Sequence, residues 1–252
     1  MPGYLTKQES IAVAGVDNLL IRSLLDRQQF ADPLGAAARL GISSAAWPLF
    51  GLLWPSATHL AARLALRPVL RGERILEVGC GLALASLVGH RRGADVTASD
   101  CHPLASAFLT ENLRLNGLLP MKYRHGQWGG PSGVELDSLD ASQPGAALPV
   151  QGLFDLIIGS DLLYERDESG GLASFICGHA AQAAEVWIVD PDRGNRPGFN
   201  RQMSLRGFVS TDFGLQLWVP PGLALPKTYK GRLLVYRRAA ASSGAAPAVA
   251  AA

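Results

Sequence analysis

A run of basic residues is missing from this chain, and so is any large imbalance of charge. Lys and Arg number 23 against 21 Asp and Glu, a formal net charge of +2. A surface that neutralises nucleic-acid phosphates needs clustered cations. Here the arginines come in scattered pairs, Arg91-Arg92 and Arg237-Arg238, so nucleic acid is not an expected partner. Cysteine is scarce too: Cys80, Cys101 and Cys177 show no CxxC spacing and no metal-ligand grouping with the five histidines. That excludes a disulfide framework and gives no metal site, and it suits a reducing compartment. The N-terminal MPGYLTKQES lacks the basic-then-apolar layout of a signal peptide. The most apolar stretch, Ser44 to Ala57, is interrupted by two prolines and is shorter than the roughly 20 residues a spanning helix needs. A cytoplasmic protein with no membrane partner is the expectation.

Several catalytic signatures are absent as well. No GxSxG elbow occurs, because Gly159-Ser160-Asp161 lacks the flanking glycines, and no HxxxH pair is present. The phosphate loop GxxxxGK[ST] is missing, since no lysine follows Gly81.

What is present is a folded, apolar composition: 48% hydrophobic and 17% charged over 252 residues, enough for a sizeable core. The first seventy residues read as helical, with Leu19, Leu20, Leu24 and Leu25 on one face of a helix over Val16 to Phe30 and a second helix over Ser56 to Leu66. From Arg74 onward strands alternate with helical stretches. Ile75–Val78, Asp95–Ser99, a weaker Met121–His125, Phe154–Ser160 and Val186–Asp190 read as strands. Helices are expected over Leu82–Arg92, Pro103–Asn116 and Leu172–Ala184, and a long loop over Gly129–Gly152. Phe208 to Arg238 holds two or three further strands around a PPGLALP turn, with alternation suited to an antiparallel edge. The pattern predicts a Rossmann-like, doubly wound, seven-stranded and mostly parallel sheet with an antiparallel C-terminal strand. The expected domains are a helical extension over residues 1–70 that covers the site, a sheet domain over 71–238, and a disordered Ala-rich tail over 239–252.

Such a sheet places ligands beyond the carboxyl ends of its strands. After the first of these strands comes Glu77-Val78-Gly79-Cys80-Gly81, a turn that lets backbone approach a ligand closely. A dinucleotide fingerprint needs a third small residue in the GxGxxG register, and that position is Leu84. Glu77 repels phosphate and attracts an ammonium group. Asp100 stands nineteen residues past Gly81, where an acid accepts ribose hydroxyls. Together they favour S-adenosylmethionine over NAD.

The segments LEVGCG, VTASD, ENLRLNG and FDLIIGSDLLY, in this order, resemble the motifs of class I, seven-β-strand S-adenosylmethionine-dependent methyltransferases. Asp161-Leu162-Leu163-Tyr164 is similar to the Asp-x-x-Tyr motif of their lysine-methyltransferase-like branch, as is the segment Leu53-Trp54-Pro55-Ser56-Ala57. The resemblance spans roughly residues 50 to 237. It implies that Glu77, Gly79 and Gly81 surround the methionine moiety and that Asp100 holds the ribose. It also implies that Gln127 and Trp128 lie by the adenine, that Trp54 packs near the cofactor, and that Asp161 and Tyr164 face the methyl group and the acceptor. Two departures stand out: Gly81-Leu82-Ala83 replaces a Gly-Thr-Gly turn, and Gln127 stands where an acid often precedes the tryptophan.

The implied activity is N-methylation of a protein lysine, leaving S-adenosylhomocysteine, with a protein as the partner. N-methylation of a small amine and a non-catalytic cofactor-binding module are the alternatives. Bland roles compete at several positions. Asp161 is a possible cap, Tyr164 and Trp54 possible core residues, Cys80 and Cys101 packing residues, and His102 an exposed loop histidine. Asp190-Pro191-Asp192-Arg193-Gly194 is either a substrate entrance or a plain polar turn.

Overall fold

The computed structural model describes residues 4–128, 147–215 and 229–238. The loop read over 129–152 lies largely outside these residues. The PPGLALP turn and the Ala-rich tail lie wholly outside them.

The chain opens with a hairpin, β1 (Thr6–Val13) and β2 (Val16–Leu24), turning at Gly15 with φ 86°. This corrects the helix expected over Val16 to Phe30. Leu19, Ile21 and Ser23 are buried at every second position, while Leu20 and Leu25 are exposed. Period two is the signature of a strand, and the run of leucines concealed it. The outer edge of β2 is covered by α4 (Ala105–Leu115). Asn112 Oδ1 accepts the backbone N–H of Arg22 at 2.8 Å and Asn116 Oδ1 that of Leu20 at 2.9 Å. One helical turn, about 5.4 Å, nearly matches the roughly 6.8 Å between alternate strand residues, so two asparagines four apart can pair an exposed edge. The asparagines of ENLRLNG therefore hold the N-terminal hairpin.

Residues 25–54 contain α1 (Ala36–Arg39) and two single-turn 3-10 helices, Ser44–Ala46 and Leu49–Gly51. Helix α2 (Pro55–Leu66) matches the helix expected from Ser56 to Leu66 but begins one residue earlier, with Pro55 at its first position. The main sheet has seven strands: β3 (Arg74–Val78), β4 (Asp95–Asp100), β5 (Lys122–His125), β6 (Phe154–Ser160), β7 (Ala180–Asp190), β8 (Phe208–Gly214) and β9 (Arg232–Arg238). Their order is β5-β4-β3-β6-β7-β9-β8, parallel from β5 to β7, with β9 antiparallel to both neighbours. The Rossmann-like sheet is as read from the sequence. The chain runs outward from β3 to β5 and then returns to the other side of β3, so the switch point lies between β3 and β6.

Helices α3 (Leu84–Arg91), α5 (Gly171–His179) and α6 (Arg196–Ser204) complete the layers. Helix α5 ends five residues before the expected Ala184, because Ala180 to Ala184 extend β7. Alternation within β3 sorts the core into two halves. Ile75 faces the cluster of α2, α3 and α4, whereas Leu76 and Val78 face that of α5 and α6. Among the described residues, no helix is long and apolar enough to cross a membrane.

Candidate active site

Beyond the switch point lies a cavity of about 410 Å³. Its floor is the turn after β3, where Gly79, Gly81 and Ala83 take left-handed φ values of 60°, 51° and 58°. A Cβ on Gly79 would lie 2.5 Å from Leu162 Cδ2, and one on Gly81 would lie 2.9 Å from the Phe50 carbonyl oxygen. Both positions thus exclude a side chain by conformation and by space.

Asp100, at the carboxyl end of β4, braces this turn. Its Oδ2 accepts the Gly81 N–H at 2.8 Å and its Oδ1 the His102 N–H at 2.8 Å. Burial pushes the carboxyl up, and these backbone donors oppose the shift.

The residue after β6 is Asp161. It holds a left-handed φ of 58°, unusual for a side-chain-bearing residue, and its N–H donates to the Val189 carbonyl at 2.8 Å. The side chain is 9% exposed, and its Oδ1 lies 2.6 Å from Arg193 Nη1. That contact is an ion pair without an aligned hydrogen bond, so Oδ1 still lacks a directed donor. Oδ2 accepts from Arg193 Nη2 at 3.3 Å and from Ser56 Oγ at 3.5 Å, and Ser56 Oγ in turn lies 2.7 Å from the Tyr229 hydroxyl. Burial raises the Asp161 carboxyl, and Arg193 acts against it.

No protein-family model matches the chain. Among curated proteins it is 28% identical to the electron transfer flavoprotein beta subunit lysine methyltransferase of Rattus norvegicus, over 63% of this chain and 56% of that one. It is 32% identical to the protein N-lysine methyltransferase METTL21A of Danio rerio, over 50% of each chain. The chain thus spans about half the length of the curated relatives it matches. Among solved structures, the 16S rRNA N2 G1207 methyltransferase of T. thermophilus, in complex with AdoMet and guanosine, aligns with a TM-score of 0.55. That alignment is at 15% identity and covers 93% of this chain and 51% of that one. The chain has the class I methyltransferase fold.

Within that methyltransferase fold the residues singled out from the sequence fall into two groups. Trp54, Gly79, Gly81, Asp100, Trp128, Asp161 and Tyr164 all line the cavity. Trp54 donates its Nε1–H to the Leu49 carbonyl at 3.0 Å, which fixes the ring at the cavity wall. Trp128 closes the other side, 5.9 Å from the Phe175 ring. Tyr164 is 45% exposed and also borders a second groove leading toward α6, so it is not a core residue.

Glu77 and Gln127 stand outside the cavity wall. Glu77 is 1% exposed, and its Oε2 accepts both the backbone N–H, at 2.8 Å, and the hydroxyl of Ser86. Ser86 is the third residue of α3, so Glu77 caps the exposed donors at that helix start. Burial raises its carboxyl to about 7. The carboxylate read as awaiting an ammonium group is turned into the sheet–helix interface, because residue 77 shares the face of Ile75. Gln127 Nε2 donates to the Leu40 carbonyl at 3.2 Å and ties the end of β5 to the N-terminal segment.

Three residues entered the site without being assigned to it from the sequence. Phe50 and His102 stack in parallel, with centroids 3.7 Å apart and planes 9° apart. His102, expected as an exposed loop residue, is 4% exposed and lines the cavity. Its Nδ1 accepts the Leu104 N–H at 3.2 Å, so the ring proton sits on Nε2, and that N–H lacks a partner among the described residues. Burial lowers its pKa to about 4, which keeps the ring neutral. Arg193 also lines the cavity, with its guanidinium carbon 5.9 Å from the Trp54 ring. The pattern of a strand followed by a polar turn pointed to Arg193 but equally to a plain loop. Cys80 and Cys101 border the cavity with thiol pKa values pushed up by burial and by Asp100, so they remain protonated packing groups.

Proposed function

We propose that this chain is an S-adenosylmethionine-dependent methyltransferase that N-methylates lysine side chains of a protein substrate. The observation that carries the reading is Asp161. It is a buried carboxylate on a left-handed backbone beside the glycine turn, facing a cavity walled by Trp54 and Tyr164, in a chain similar to curated lysine methyltransferases.

The residues present fit the cofactor. The glycine turn brings bare backbone to the cavity floor, Asp100 keeps further lone pairs free on oxygens already oriented by backbone, and His102, which lines the cavity, has an unpaired Nε2–H. Gly79, Gly81, Asp100, His102, Trp128 and Trp54 are the residues that would hold it. When bound, it supplies a sulfonium methyl that passes in line to an amine lone pair, as the carbon–sulfur bond breaks and its electrons return to sulfur. The protein's part is alignment and electrostatics.

An amine acceptor must be neutral when it attacks. Asp161 is held to accept an N–H of the incoming amine and to take its proton directly or through water. Its raised carboxyl pKa makes it a better proton acceptor than an exposed aspartate. Tyr164, at the mouth, packs along the acceptor's alkyl chain. Glu77 acts on the cofactor only through the turn, by capping the helix that follows it.

Incubation with radiolabelled methyl donor and a cell lysate separated by size tests the reading. Label in macromolecules, recovered as methyllysine after acid hydrolysis, supports it. Label confined to small molecules indicates a small-amine acceptor instead. Donor binding without any label indicates a binding module.

A further inference from the structure

The acceptor corner of the cavity already contains a cation. Arg193 sits in the turn after β7, between Asp192 and Gly194, whose φ values of 64° and 92° carry the chain sharply back toward β6. Its guanidinium meets Asp161 through both terminal nitrogens, at 2.6 Å and 3.3 Å, and lies over Trp54. Asp161, Trp54 and Arg193 border the same cavity. Among the described residues, Arg193 has no other carboxylate partner.

The two members of this pair are held very differently. Asp161 is fixed from several sides, by its backbone bond to Val189, by Ser56, and by Tyr229 behind Ser56. The Arg193 side chain is 41% exposed, and among the described residues its guanidinium is held by the carboxylate and the indole face alone. The acid stays where it is while the guanidinium can leave toward solvent. The arrangement of one buried carboxylate, one aromatic face and one exchangeable cation is what an alkylammonium recognises.

We infer that Arg193 gates the acceptor corner by competing for its carboxylate. In the acceptor-free protein it occupies the place of the acceptor's cation, and an alkylammonium of lysine type takes that place by exchanging with it on Asp161. This rests on the proposed reading of the cavity as an amine-acceptor site. Arg193 already neutralises Asp161, so a second cation gains little from that carboxylate until the guanidinium leaves it. A neutral acceptor brings no charge to replace the ion pair and leaves it in place, and an anionic one is repelled by Asp161. Arg193 therefore raises the threshold for cationic acceptors, the ones that compete with it for Asp161.

The test is ligand-observed NMR titration of n-butylammonium, with n-butanol as the uncharged control, at constant ionic strength. Wild type is compared with Arg193→Met, which keeps the stem and removes the charge, with Asp161→Asn, and with the double variant. Arg193→Met is expected to bind n-butylammonium at least tenfold more tightly than wild type, to lose that gain in the double variant, and to leave n-butanol binding unchanged. Arg193→Gln provides the same comparison if the methionine variant does not fold. Equal n-butylammonium affinity in wild type and the charge-removed variant overturns the inference. So does a gain that survives Asp161→Asn, or one shared by n-butanol. Exchange on Asp161 without methyl transfer to any protein would count against the proposed activity alone, whereas methyl transfer without exchange would count against the role of Arg193 alone.

Discussion

Glu77→Gln removes a charge from the sheet–helix interface while keeping an oxygen that Ser86 can donate to, and its effect on stability follows from burial. In the folded protein the carboxyl is raised from 4.5 to about 7, chiefly by desolvation, with Ser86 opposing and Asp100 adding a smaller push in the same direction. Between those two values the folded state keeps its proton while the unfolded chain has lost it. The folded protein then binds more protons, so stability must fall as pH rises. The contribution is fully present below about 4.5 and is lost by the time the pH passes 7. A shift of this size corresponds to about 3 kcal/mol, at 1.36 kcal/mol per unit. Glutamine does not titrate, so the variant should gain on wild type by about 3 kcal/mol between pH 4.5 and pH 8. For a chain of this length that is roughly 6–12 °C in Tm. Urea unfolding of both proteins at the two pH values measures it directly. A difference that does not change with pH would refute the reasoning. A difference that moves in favour of wild type as pH rises would show instead that the start of α3 compensates the carboxylate in full.

Asp161→Ala should lower turnover by at least roughly a hundredfold, the low end for loss of a positioned proton acceptor, while S-adenosylmethionine binding measured by calorimetry stays within about twofold. Retained turnover would remove Asp161 from the reaction. His102→Phe keeps a ring against Phe50 and deletes the unpartnered N–H, but it also removes the Nδ1 acceptor of the Leu104 N–H, so thermal stability should change little. Calorimetry should then show S-adenosylmethionine affinity weakened about fivefold to tenfold, the worth of one hydrogen bond, and an unchanged affinity would show that Nε2 is not used.

Much of the sheet was legible because its strands are buried on both faces and read as continuous apolar runs, as in Ile157-Ile158 or Val186-Trp187-Ile188-Val189. The glycine turn was legible for a related reason: left-handed backbone at Gly79 and Gly81 leaves a local signature. The N-terminal hairpin was not. The Leu19-Leu20 and Leu24-Leu25 pairs satisfy a helical face as well as a strand, and the decision was made by Asn112 and Asn116, about ninety residues away, which pair the backbone of β2. The end of α5 was concealed in the same way, since the alanines before Val186 suit a helix locally but continue β7 in the sheet.

By itself the sequence determined the alternation of strands and helices, the switch-point turn, and the placement of Asp100 and Asp161 at the carboxyl ends of strands. These depend on local periodicity and on residues whose backbone preferences act wherever they stand. Only the tertiary structure decided where side chains aim. It turned Glu77 into the start of α3 and buried His102 against Phe50 with an unpartnered N–H. It also brought Arg193 from the turn after β7 onto the carboxylate after β6. Direction and partner are properties of three-dimensional packing: a carboxylate reads alike in sequence whether it faces a ligand, a helix terminus or an arginine thirty-two residues away.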